Sequence, residues 1–117
     1  MSKNKKIGLL GEELALQHCL DNGYELIEKN WTVGHKEIDI ILKKEGIYIF
    51  VEVKTRTNLK MGMPESAISY TKIKNVTEAS QVFLIDKQYK DIRFDVISII
   101  LKKDTEPELL HIKDAFY

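Results

Sequence analysis

Runs of alternating apolar and polar residues dominate the middle and the end of this chain, and helix-spaced apolar residues fill the rest. Residues 4–22 read as a helix of good helix formers that stops at Asn22-Gly23, a pair suited to a C-cap. Tyr24 to Val33 alternates as a strand, and Gly34-His35 supplies a turn. Glu37 to Leu42 forms a second strand, with Glu37, Asp39 and Ile41 on one face. Lys43-Lys44-Glu45-Gly46 is the hairpin loop into a third strand, Ile47 to Arg56. A loop follows at 57–64, then a short helical turn at 65–69 and a helix over about 71–87 whose apolar stripe is Val76, Ala79, Val82 and Phe83. Ile92 to Leu101 is rich in β-formers, Asp104 to Glu108 is an acidic turn, and Leu109 to Phe116 holds a short edge strand. The alternation of strands and helices predicts an α/β fold with a mixed central sheet flanked by helices, in one domain spanning 1–117.

The third strand changes character along its length. Ile47 to Val51 is apolar on both faces, yet the strand ends in Glu52-Val53-Lys54. On a period of two, Glu52 and Lys54 share a face with Tyr48 and Phe50. Burying such groups costs several kcal/mol per ion unless they are paired or hold a metal. Taken alone, Glu-x-Lys fits a salt-bridged strand end, so its meaning turns on partners elsewhere.

Hairpin parity supplies one. Opposed residues of an antiparallel pair share a face. A two-residue loop at Lys44-Glu45 sets Asp39 opposite Phe50 and diagonal to Glu52, and a four-residue loop at 44–47 sets it opposite Glu52. A three-residue loop sends Asp39 to the other face unless a bulge intervenes. In the first helix, Glu12 lies four residues before Leu16 and seven before Cys19, on a stripe with apolar neighbours, while Glu13 points toward water.

Composition narrows the setting. The 117 residues are 44% hydrophobic and 31% charged, as in soluble globular proteins. Cys19 is the only cysteine, which excludes an intrachain disulfide and fits a reducing, cytoplasmic compartment. Glu12 and Glu13 interrupt the apolar run near the N-terminus before a signal-peptide core forms, and no stretch approaches membrane-spanning length, so no membrane partner is expected. The net charge of zero hides a local excess: Lys54, Arg56, Lys60, Lys72 and Lys74 against Glu65 give 54–74 a charge of +4. Such a segment beside the Glu-x-Lys strand suits a polyanion, with Arg56, Lys60, Lys72 and Lys74 as candidate phosphate contacts.

Two carboxylates and a lysine converging at the end of a small sheet suit metal-dependent phosphodiester hydrolysis. Asp39 and Glu52 are hard oxygen ligands of the kind Mg²⁺ or Mn²⁺ takes, and a backbone carbonyl near Val53 can add to the shell. Lys54 is placed to orient water or to stabilise developing negative charge. Arg93 and Asp95 read as a structural ion pair, His35 as a turn residue, and His18 and His111 lack evident catalytic partners.

Several ordered motifs carry a resemblance. Gly11-Glu12 with Ala15, Gly23-Tyr24, Asn30-Trp31, Glu37-Ile38-Asp39, Phe50-Val51-Glu52-Val53-Lys54-Thr55-Arg56, Gly62, Pro64, Ala67, Lys72 and Arg93-Phe94-Asp95-Val96 resemble the bacterial YraN-like family from about residue 8 to 100. That family is similar to the restriction-endonuclease-like, PD-(D/E)xK superfamily and to archaeal Holliday-junction resolvases. The resemblance implies a restriction-endonuclease-like core, a catalytic metal site at Glu12, Asp39, Glu52 and Lys54, and action on DNA, with branched or structured DNA and a homodimer among the expectations. One departure is local: the family places glycine directly before Glu-Ile-Asp, whereas this chain has Lys36 there and its glycine at Gly34. Two rival readings stand beside the nuclease, a nucleic-acid-binding module without turnover and an interaction domain in which the charges are structural.

Overall fold

The computed structural model describes residues 3–57 and 69–116. The expected loop beyond Thr57 and the helical turn before Ser69, with Lys60 between them, lie outside the described residues. Seven elements follow in order: α1 (Lys3–Asp21), β1 (Glu25–Val33), β2 (Lys36–Lys44), β3 (Ile47–Arg56), α2 (Tyr70–Phe83), β4 (Asp91–Ile100) and β5 (Glu108–Ile112). The strands form one sheet in the order β1-β2-β3-β4-β5. The β1, β2 and β3 strands run as an antiparallel meander, β4 is parallel to β3, and β5 returns antiparallel to β4. A parallel neighbour cannot be reached by a tight turn, and the segment carrying α2 makes that crossover. The result is the expected α/β architecture, a mixed sheet with a helix on each face.

Each face has its own core. Against α1, Ala15 and Cys19 pack with Ile40, Leu42, Ile49, Val51, Ile97 and Ile99. Against α2, Val76, Ala79 and Phe83 pack with Ile41, Tyr48, Phe50 and Phe94. Gly11, Ala15 and Cys19 recur every four residues on α1 and are all buried, so small side chains line the stripe that approaches the sheet. The Phe83 ring meets Trp31, Tyr48 and Phe50 edge-on at 5.3–6.0 Å, geometries that favour aromatic pairs beyond simple burial.

The β2–β3 hairpin closes on Glu45-Gly46, both with positive φ (53° and 81°), which is the left-handed pair that a two-residue hairpin turn requires. Lys44 therefore faces Ile47, and the ladder continues to Ile40 opposite Val51. Continued by one residue, this register sets Asp39 across from Glu52, the arrangement expected of the wider of the two parity-correct loops. The turn is narrower than that because Lys44 and Ile47 themselves pair.

Three expectations need correction. Helix α2 ends at Phe83, not near 87, because Leu84 already serves as its C-cap. Val82 does not join the buried stripe: it is 45% exposed, and Ser80 takes the inward position. Alternation along β1 and β2 also breaks. A register shift between Leu26 and Glu28 sets Leu26 opposite Leu42 and Glu28 opposite Ile41, which belong to opposite cores. Asn30 adopts a φ of 52°, and across the Asn30 and Asp39 level the faces exchange: Ile40 packs on the α1 side and Ile38 on the α2 side. Asparagine visits this conformation more readily than most residues, which places the kink where the sequence tolerates it.

Candidate metal and phosphate site

Beyond Val51, β3 keeps β4 as a neighbour through Arg56 opposite Ile100, while its ladder to β2 stops at Ile40 opposite Val51. The two strands thus part like the arms of a fork. Val53 has lost its backbone partner on β2, and its N–H donates instead to Asp39 Oδ2 at 2.9 Å. This bond pins the carboxylate in the fork. In a sheet a residue's N–H and C=O face the same neighbouring strand, so the Val53 carbonyl lies on this edge as well.

A cleft of about 380 Å³ opens at the fork, lined by Glu12, Asp39, Glu52, Val53, Lys54, Ser69 and Lys72. Three of these come from different elements: Glu12 from α1 on one face, Lys72 from α2 on the other, and Glu52 from β3 between them. Glu12 reaches the cleft because Gly11 lets α1 close on Thr55 of β3, where a side chain at position 11 would collide. As expected, Glu12 turns inward and Glu13 toward solvent.

Glu52 is 3% exposed. Its Oε1 accepts a bond from Lys72 Nζ at 2.9 Å, and its Oε2 is buried with no hydrogen-bond partner among the described residues. Burial, reinforced by the charge of Asp39 and contact with it, pushes the Glu52 carboxyl up to about 9, and Lys72 only partly opposes this. Glu12 is raised by burial and then by the Asp39 and Glu37 charges. Glu37 is raised by burial and by its hydrogen bond to Asp39. Burial disfavours the Lys72 ammonium, yet the Glu52, Asp39 and Glu37 carboxylates outweigh it and raise Lys72. Shifts on both sides of the ion pair share one cause: the site holds more carboxylate than cation.

That imbalance, the orphaned Glu52 oxygen and an all-oxygen donor set suit a hard divalent ion. Asp39, Glu52 and the Val53 carbonyl are the groups that would hold it, with Glu12 across the cleft. Among the described residues no three or more His, Cys, Asp or Glu side chains are drawn together tightly enough to cage an ion by themselves. Water and a ligand oxygen would complete the shell, which is the habit of Mg²⁺. His35 is exposed in its turn, and neither it nor Glu37 lines the cleft beside Asp39.

Of the four basic residues expected at phosphate, the three described are dispersed. Lys74 is exposed on α2. Lys72 is engaged by Glu52. Arg56 is 6% exposed at the end of β3 rather than displayed to solvent, because β3 stays paired with β4 to that residue. Lys60 is outside the described residues. Lys54 faces the cleft and makes no hydrogen bond or ion pair among the described residues. Lys36, standing where the resembling family has glycine, leaves the Gly34-His35 turn as a strand residue and bridges Glu78 of α2 at 3.5 Å.

A second polar cluster escaped the sequence reading. Asp95, 0% exposed, accepts Nε and Nη2 of Arg93 at 2.8 and 2.9 Å, His111 Nε2 at 2.7 Å and the Asp114 backbone N–H at 3.0 Å. Arg93 Nη2 also donates to the Tyr24 hydroxyl, and His18 Nε2 lies 3.1 Å from His111 Nδ1. The pairing of Arg93 with Asp95 was expected; the two histidines beside it were not. They sit 16 and 93 residues from their partners in the chain, so no local spacing announces them.

The fold and cleft define a small α/β protein with buried acidic residues at a fork in its sheet. By sequence, the chain belongs to the uncharacterised protein family UPF0102, whose model matches residues 11–99. Relatives named UPF0102 protein include one from Dictyoglomus turgidum, 43% identical over 105 residues, covering 88% of this chain and 89% of the relative. Another from Syntrophomonas wolfei is 37% identical over 97% of this chain and 99% of its own. A third from Flavobacterium psychrophilum is 36% identical over 100% of this chain and 98% of its own. No described helix is long and apolar enough to cross a membrane.

Proposed function

We propose that this protein is a Mg²⁺- or Mn²⁺-dependent endonuclease of the YraN-like, restriction-endonuclease-like kind, hydrolysing phosphodiester bonds of DNA in the cytoplasm. The observation that carries the reading is the buried Asp39 and Glu52 pair, with Glu52 Oε2 unpartnered among the described residues at the wall of a cleft that Lys54 also lines. When bound, the ion would supply Lewis acidity toward a phosphoryl oxygen and toward a water molecule. The chain's own residues do the rest. Asp39 is held for ligation by the Val53 N–H, and Glu52 by its burial in β3. Glu12, with its raised affinity for a proton, stands where it can take one from an attacking water. Lys54 offers an ammonium to the charge that develops on the phosphate. Branched or otherwise structured DNA is the substrate class suggested by the resemblance, and a homodimer would present two such clefts to two strands.

The test is incubation of the purified protein with linear, nicked, flapped and four-way DNA and each metal in turn. Metal-dependent product that disappears in Glu52→Ala and Asp39→Asn is expected. Absence of cleavage on every substrate, or cleavage unchanged in both variants, would overturn the reading. A second reading, a nucleic-acid-binding module without turnover, draws on the Lys72 ammonium already seated on Glu52. Its signature is salt-sensitive binding that needs no metal and survives Asp39→Asn.

A further inference from the structure

Lys72 occupies an unusual place for a lysine on an amphipathic helix. It stands in the first turn of α2, where the N-cap Ser69 Oγ accepts its backbone N–H at 3.1 Å while its own Nζ reaches Glu52 Oε1 at 2.9 Å. One residue is thus tied twice, once to the helix cap and once to the acidic wall of the cleft, and Ser69 lines that cleft too. The two ends of the ion pair differ in their freedom. The Lys72 side chain is 42% exposed and the Glu52 side chain 4%. If the pair opens, the lysine can swing its flexible stem into water and be solvated, whereas the glutamate has nowhere to go.

We propose that Lys72 is a built-in counter-ion that competes with the divalent metal for Glu52, holding the carboxylate in place while the site is empty of metal and leaving it when the ion arrives. The inference rests on the metal-site reading above. A dication ligated by Glu52 Oε2, which has no partner among the described residues, would face the Lys72 ammonium across a single carboxylate, in a cleft whose buried walls screen charge poorly. Of the two cations, the one bound to a hydrated tether is the one that yields. Lys72 is therefore a positioning residue: it keeps Glu52 aimed through the 2.9 Å contact with Oε1, and it sets the metal affinity by the strength of its own hold. Its release also frees the first turn of α2 from β3, which couples that helix end to metal occupancy.

Mn²⁺ and Mg²⁺ affinities measured by titration calorimetry for the wild type, Lys72→Met, Lys72→Gln and Lys72→Arg test this without any assay of cleavage. Loss of the competing charge should tighten Mn²⁺ binding about tenfold or more in the Met and Gln variants, and Arg should restore the wild-type value. In the unmutated protein, the NMR signal of the Lys72 ammonium or of its dimethylated form should move from an ion-paired to a solvated position as Mg²⁺ saturates. A wild type that binds metal while both neutral variants bind it equally or more weakly would overturn this inference alone. A wild type that binds neither ion, with Glu52→Ala indistinguishable from it, would instead overturn the metal-site reading and this inference with it.

Discussion

Gly11 of α1 lies against Thr55 of β3 so closely that a Cβ at position 11 would overlap the threonine hydroxyl and fall 2.8 Å from Thr55 Cβ and Cγ2. The contact joins the residue before Glu12 to the third residue after Glu52. Helix and strand are therefore held at the distance that brings their two carboxyl side chains into one cleft.

Gly11→Ala is expected to destabilise the protein although alanine is the better helix former. The helix gain is about 1 kcal/mol, while forcing a methyl into a closed contact costs about 1–3 kcal/mol, more when backbone must move. The obstructing atoms belong to a β-branched side chain in a strand, with little rotamer freedom, so the overlap wins. Thermal unfolding should show a Tm lower by several degrees, and adding Thr55→Ala should recover part of the loss by removing two of the three obstructing atoms. A Gly11→Ala protein at or above the wild-type Tm would disprove the tight contact.

Much of this arrangement could be read along the chain, and the unread part has a physical pattern. The strand ending in Glu52-Val53-Lys54, the inward turn of Glu12 and the delivery of Asp39 beside Glu52 all follow from periods of 2 and 3.6 and from hairpin parity, which are local rules. Parity still left two registers open, and the Glu45-Gly46 turn with its two positive φ values decides between them. Simple alternation failed at Asn30, where a left-handed residue lets Ile38 and Ile40 face opposite cores. Lys72 on Glu52, Gly11 on Thr55 and the histidines around Asp95 join residues that meet only after the crossover and the helix docking are in place. A lysine on α2 looks solvated until the sheet beneath it is known.

Glu52→Gln is expected to separate stability from metal binding. The amide keeps the shape and cannot take on the charge that burial and Asp39 both disfavour. The lost bond to Lys72 costs little, because that lysine can be solvated. The metal-free variant should therefore match or exceed the wild-type Tm. Addition of Mn²⁺ at about 100 times its Kd should stabilise the wild type by about 2.7 kcal/mol and leave Glu52→Gln unmoved. A variant markedly less stable than the wild type without metal would mark Glu52 as a structural anchor.

Lys54→Met should affect turnover and spare the ion. Lys54 lines the cleft but pairs with neither carboxylate among the described residues, so its charge is available to a phosphate. Loss of one positioned cation in such a site lowers kcat by roughly 10²- to 10³-fold. Calorimetry should meanwhile return an Mn²⁺ affinity close to that of the wild type. A parallel collapse of metal affinity would instead place Lys54 among the groups that shape the carboxylate pair.

Acid should unfold this protein through the Asp95 cluster in two stages. Burial works to raise Asp95, but the bonds from His111, Arg93 and the Asp114 N–H outweigh it and hold the carboxyl below its ordinary value. A carboxyl lowered in the folded state contributes stability that is complete above its unfolded value, about 3.9, and is lost as pH falls through the folded one. His18 acts earlier. Burial, then the neighbouring His111, lowers its proton affinity, so the unfolded chain takes up that proton first and stability begins to fall as pH drops below the ordinary histidine value, about 6.5. The raised carboxyls of Glu52, Glu12 and Glu37 work the other way, adding stability as pH falls toward their ordinary value. The cluster is therefore read from the difference between wild-type and variant urea midpoints from pH 7 to pH 3. The wild type should lose ground to His18→Gln as pH falls through the upper part of that range, with no further change in the lower. Asp95→Ala should be destabilised at every pH, by about 3–5 kcal/mol near neutrality, because Arg93 and His111 are left facing a site with no acceptor. An unchanged upper limb in His18→Gln, or a stable Asp95→Ala protein, would show that the cluster does not hold β4, β5 and α1 together.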